Sequence, residues 1–185
     1  MRLRNDSEGY GLVTKLLHWL MLVAIAAQFV LGYSMQGADL LEGVVDRWLD
    51  GDEERLLSAH APLGLTILAL AIARVLWRAS GTLPAWADGL SSVERRVMLW
   101  VERILYWLMF LIPLTGLSLV LASGEDWDVG ERTEWQAPLE LADDGALLAA
   151  HIATHLTFFA ALTVHVGIVL KHQLVDRDRL LNRML

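Results

Sequence analysis

Apolar residues along this chain gather into four runs of about 20 residues, divided by polar stretches that hold most of the charge. A hydrocarbon slab about 30 Å thick needs some 20 helical residues to cross it. The pattern therefore predicts spanning helices over about 12–33, 57–77, 97–121 and 145–172. The first run is too long for the core of a signal peptide, contains a histidine and ends in no convincing small-residue cleavage pattern, so it reads as a retained helix. The third contains Pro113 and Gly116, where a kink is expected. Between the first two spans, Leu40-Leu41, Val44-Val45 and Trp48-Leu49 recur at helical spacing, predicting a short amphipathic helix on the membrane surface. Gly81 to Gly89, with Pro84, reads as a tight connection, and residues 123–144 as a loop. Most of the eight tryptophans fall near span ends, as an aromatic belt requires. The fold class is all-α: a transmembrane four-helix bundle forming one membrane domain over residues 1–185.

Charge orients the bundle. The amino terminus, the connection between spans two and three with its flanks, and the carboxyl terminus hold 12 of the 15 lysines and arginines; the other two loops hold only Arg47, Arg55 and Arg132. By the positive-inside rule both termini are cytoplasmic. The two outer loops carry 15 acids against those three arginines, a net of −12. With no cysteine in the chain, disulfides, thiolate zinc sites, covalently attached haem and cysteine-held iron–sulfur clusters are excluded. Nothing matches a phosphate-binding glycine loop, a nucleophile triad or a nucleic-acid motif, and an acidic membrane chain is a poor partner for nucleic acid.

The histidines carry the candidate chemistry. His151 and His165 are 14 residues apart on the fourth span, which leaves their rings about 40° from the same face and roughly 21 Å apart along the axis. His18 on the first span lies at the depth of His165, and His60 on the second at the depth of His151. Ionisable residues inside a membrane are costly and functional by default. Two imidazoles leave no open position on a haem iron, which suits electron transfer rather than oxygen binding. The pairing therefore predicts two b-type haems: an inner one on His18 and His165, an outer one on His60 and His151. His155, one turn from His151, would bring the two haems too close if it were the ligand, and reads as packing or as support behind the haem.

His18-Trp19, His60-x-x-x-Gly64 with Arg74 fourteen residues beyond the histidine, Leu111-Ile-Pro-Leu-Thr-Gly116, and His151 with His165 together resemble the bacterial cytochrome b561 family over about residues 10–180. The resemblance implies a multi-pass protein of the bacterial inner membrane, with lipid around it and two haems b within. It implies electron exchange between membrane quinone and a donor or acceptor outside. One branch of similar length oxidises superoxide and passes the electrons to ubiquinone, so a superoxide:ubiquinone oxidoreductase-like enzyme is expected. The alternative is a non-catalytic cytochrome b subunit serving a dehydrogenase or a periplasmic cytochrome.

On this picture Gly64 lets a porphyrin, or simply a neighbouring helix, approach the backbone. Arg74 lies at the inner depth, where it pairs with a haem propionate, contacts quinone or extends to the headgroups. His172, seven residues past His165, is expected to be a wet terminal histidine, with proton delivery to quinone as its functional role. The acidic outer face would slow superoxide and attract a cationic soluble donor, unless Arg55 and Arg132 offset the field locally.

Overall fold

The computed structural model describes residues 2–7, 9–36, 53–87, 89–122, 126–128, 134–136, 138–139 and 141–185. They include four long helices, α1 (Leu12–Ser34), α2 (Glu53–Ala79), α3 (Ser92–Ala122) and α4 (Asp144–Lys171). All four are long and apolar enough to cross a membrane. Only 11 to 22% of each apolar stretch is buried, so most of its surface faces outward. Leu16, Val23, Leu65, Leu76 and Leu156 are exposed in this way. Water would drive such surface together, whereas lipid solvates it. Trp107, midway along α3, is also exposed and stands apart from any belt at the helix ends.

Helix boundaries follow local capping. α3 starts at Ser92, earlier than its apolar run, because Ser91 and Glu94 form a capping box. The Ser91 amide donates to Glu94 Oε2 at 2.9 Å, and the Glu94 amide donates to Ser91 Oγ at 3.3 Å. Asp143 caps α4 by accepting from the Ala146 amide at 3.1 Å. α2 and α3 run on through Pro62 and Pro113. In the second acidic loop, β1 (Asp126–Asp128) pairs antiparallel with β2 (Glu134–Gln136), Trp127 opposite Trp135. The polar–Trp–polar alternation of both segments has the period of a strand, a signal the loop assignment passed over. The amphipathic stretch from Leu40 to Leu49, which includes Arg47, lies outside the described residues, as does Arg132.

α1 packs on α2, α2 on α3 and α3 on α4, while neither α1 nor α2 packs its backbone extensively on α4. Across the α1–α4 gap the contacts are made by rings, such as Phe29 with Phe159 at 4.6 Å and with Phe158 at 5.4 Å. At mid-height Met21, Ala24, Ile67, Ala71 and Met109 form the buried apolar cluster. The two termini meet at one end of the bundle: Trp19 Nε1 donates to the Met184 carbonyl at 2.7 Å, Lys15 reaches the Leu185 carbonyl, and Arg183 donates to the Ala85 carbonyl at 2.6 Å. This is the terminal end, and the opposite one the far end. Beyond α4 the chain continues as a π-helical turn, His172–Asp176, and a 3₁₀ turn, Leu180–Arg183.

Candidate functional site

Toward the terminal end, α1 and α4 bring His18 and His165 together with ring centres 6.4 Å apart and planes at 50°. That separation leaves space for a metal held between the two rings, since a metal–imidazole bond is about 2 Å long. His165 Nδ1 is buried with no hydrogen-bond partner. Arg74 of α2 donates from Nη2 to His18 Nδ1 at 3.2 Å and from Nε to the Tyr106 hydroxyl at 3.4 Å. Arg78 covers the other part of this cluster, with its guanidinium 5.2 Å from the Tyr106 ring centre and an ion pair to Glu102 at 2.5 Å. A guanidinium can only donate, so His18 here keeps its lone pair on Nδ1. A histidine that holds a metal through Nε2 carries its proton on Nδ1, so ligation and the Arg74 bond exclude one another. Ligation at His18 would thus release the Arg74 guanidinium for an anionic partner.

Toward the far end, His60 of α2 and His151 and His155 of α4 line a cavity of about 450 Å³. That lies in the range of roughly 300–1,000 Å³ typical of cofactor and ligand sites. Glycines make room for the rings. A Cβ on Gly32 would lie 2.9 Å from His60 Cε1, and one on Gly116 would lie 3.1 Å from His151 Cε1. Gly64 lines the cavity and also admits α1, since a Cβ there would stand 3.2 Å from Gln28 Nε2. That Gln28 nitrogen donates to the His60 carbonyl at 3.0 Å. His60 Nδ1 and His155 Nδ1 are buried without hydrogen-bond partners.

Hydrogen bonding separates His151 from His155. Thr115 Oγ1 lies 2.9 Å from the Leu111 carbonyl oxygen, 2.8 Å from that of Ile112, and 2.8 Å from His151 Nδ1. With its single proton on one of those carbonyls, the hydroxyl accepts from His151 and Nδ1 is the protonated nitrogen, the arrangement that ligation through Nε2 requires. The His151 Nε2 lone pair is then available on the other side. His155 Nε2 lies 3.2 Å from it, so ligation through His151 Nε2 would end that contact. The His155 ring is wedged edge-on against Phe29 at 5.0 Å. A metal-ligating histidine almost always has its other ring N–H held from behind; His151 has that support from Thr115. Thr115 stands in the Leu111-to-Gly116 motif with nothing in the sequence to mark its role, and of Gly32 and Gln28 only Gly32 signals itself, as a glycine inside an apolar helix.

His172 is not the wet terminal residue expected. Its side chain is 0% exposed, because the π-helical turn carries it inward beneath the start of α3 instead of letting the helix end at the surface.

A model of the prokaryotic cytochrome b561 family matches residues 9–185. The chain belongs to that family. It is also 30% identical over 192 aligned positions to cytochrome b561 homolog 2 of Escherichia coli strain K12, an alignment covering 100% of this chain and 95% of the relative. Cytochromes b561 are membrane electron-transfer proteins that bind haem b. The residues present suit that group: imidazole donors on helices whose backbones stay apart, a glycine-lined cavity between two of them, and buried ring nitrogens without partners.

Proposed function

We propose that this cytochrome b561 holds two haems b, one between His60 and His151 and one between His18 and His165, and carries electrons across the bacterial inner membrane to quinone. The observation that carries the reading is the pairing itself: two histidine pairs, each spanning helices that leave space between their backbones, with His151 and His165 14 residues apart on α4. When bound, the haems would supply reversible one-electron transfer at two depths. The protein's part is to fix the rings and exclude water. Thr115 sets the tautomer of His151, Gly32 and Gly116 admit the far-end rings, and Arg74, once parted from His18, is placed for a propionate. The termini and the Arg-rich end are cytoplasmic on this reading, which puts His60 and His151 on the outer side.

The outer substrate best supported is superoxide, by resemblance to the superoxide-oxidising branch in length and motif set. Two superoxide anions each lose one electron to become dioxygen, and one quinone gains two electrons and two protons. Stopped-flow mixing of the purified holoprotein with superoxide tests this. Rapid haem reduction, followed by reoxidation on adding ubiquinone, is the expected course; haems that stay oxidised would refute it. The net charge of −12 on the outer loops favours a second reading, in which a cationic soluble protein is the electron partner and the cytochrome is its membrane subunit.

A further inference from the structure

We propose that Glu94, His172 and Asp176 form a binding site for a divalent first-row cation, zinc fitting best, at the terminal end of the bundle, with Lys171 as its built-in competitor. None of these residues belongs to either histidine pair. His172 is fully enclosed, and its Nδ1 is bonded to Asp178 Oδ2 at 2.6 Å. Nδ1 faces the Asp178 carboxylate, while Nε2, the other ring nitrogen, has no hydrogen-bond partner and faces Glu94 Oε1 at 3.4 Å. A carboxylate behind a histidine whose far nitrogen is free is the arrangement that orients metal-bound histidines. Tetrahedral ligand atoms bonded at about 2.0–2.1 Å stand roughly 3.3 Å apart, so this pair is already at a ligating separation.

The two carboxylates are held for the same purpose. Glu94 Oε2 accepts from the Ser91 amide at 2.9 Å and from the Ser91 hydroxyl at 2.6 Å, which leaves Oε1 turned toward His172. Glu94 Oε1 and Asp176 Oδ2 both accept from Lys171 Nζ, at 2.8 and 2.7 Å. One ring nitrogen of His172 and a carboxylate oxygen from each of Glu94 and Asp176 lie within 4.8 Å of one another, Asp176 Oδ2 being 3.3 Å from His172 Nδ1, and an ammonium occupies the position between the carboxylates where a cation is wanted. Lys171 is half-exposed and can swing out to solvent, whereas His172 cannot.

The backbone is shaped around this group. α4 widens into the π-helical turn at His172, and such turns concentrate at functional sites. Arg177 and Arg179 adopt left-handed φ values of 56° and 61°, a conformation disfavoured for residues with side chains. A Cβ at Gly89 would run into the Asp178 carboxylate, so the α2–α3 connection also makes way for it. One imidazole and two carboxylates are a donor set for zinc; the set lacks the sulfur that selects copper(I) and the all-oxygen shell that suits magnesium.

The test is Zn²⁺ binding to detergent-purified holoprotein, free of any affinity tag, by competition with a chromophoric chelator. One ion per chain is expected. Lys171→Gln should bind at least about tenfold tighter, because the competing ammonium is gone, and His172→Gln or Glu94→Gln at least about tenfold weaker. Unchanged haem spectra confirm that each variant is folded. If His172→Gln is unstable, the Lys171→Gln and Glu94→Gln pair still decides. Absence of a stoichiometric site, or a Lys171→Gln protein that binds Zn²⁺ no more tightly than wild type, overturns the proposal.

Discussion

Replacing Thr115 by valine keeps the shape of the side chain and deletes one hydroxyl. That oxygen is what receives the proton on His151 Nδ1, at 2.8 Å. Its loss leaves a buried N–H without its acceptor, at a cost of about 1–3 kcal/mol. Removing the group behind a metal-ligating histidine usually weakens the metal site about 10–100-fold, which is about 1.4–2.7 kcal/mol. The two routes agree. The Leu111 and Ile112 carbonyls, both within 2.9 Å of Thr115 Oγ1, are freed by the same change and stand ready as substitute acceptors. The expectation is therefore the lower end, about a tenfold loss of retention at one haem. The assay is haem transfer to an excess of an apo-haem-binding protein, followed by absorbance and by pyridine haemochrome. The outer haem should leave about ten times more readily and the inner one as in wild type. Thr115→Ser, which keeps the hydroxyl, should behave like the parent. If Thr115→Val retains both haems as wild type does, the Thr115 hydroxyl is not what holds His151 in place.

The histidine pairs and the charged face give two further expectations. Wild type should return two haems b per chain; His60→Ala or His151→Ala should remove one and leave the other's spectrum, and His18→Ala or His165→Ala should do the converse. His155→Ala should keep both, and a result in which it empties a site while His151→Ala does not would exchange their roles. Between 0.01 and 0.1 M salt the Debye length falls from about 30 to about 10 Å. Haem reduction by superoxide should accelerate over that range if the acidic loops repel the anion, and electron transfer from a basic soluble protein should slow. Superoxide reduction that is fast and slows with salt would instead mean that arginines such as Arg55 and Arg132 form a local positive funnel.

The four helices were legible because lipid imposes a length and a polarity that a sequence displays directly. α3 was read short since its first turn, Ser92 to Arg96, is polar and held by capping rather than by lipid. The depth of each histidine was legible too, because rise per residue is fixed. Partners from other helices were not. Nothing in the periodicity of α4 distinguishes His151 from His155; the distinction comes from Thr115 on α3. Arg74 could be placed at the level of His18, but not bonded to it. The burial of His172 depends on a π-helical turn and two left-handed arginines, and no local preference of those residues announces either.

What lies between the two histidine levels bears on what can pass between them. The buried layer there is Met21, Ala24, Ile67, Ala71 and Met109, with Ile25, Leu63, Leu70 and Phe110 packed against it. Tyr106 also borders this layer, and its hydroxyl is turned to Arg74 at the terminal level. Proton relays and ion pathways through membranes are built from chains of acids, histidines and water. None of these buried core residues is titratable; the titratable ring between the two levels is His155 on α4, buried one turn inside His151 and set edge-on against Phe29. An electron needs no such relay, only redox centres near one another, and α4 places its two candidate ligands roughly 21 Å apart along one axis. On the proposed reading, the apolar residues of α1 to α3 divide the two histidine levels and leave His155 as the polar ring nearest the gap, so His155→Phe should leave electron transfer between the levels intact if no proton travels with the electron.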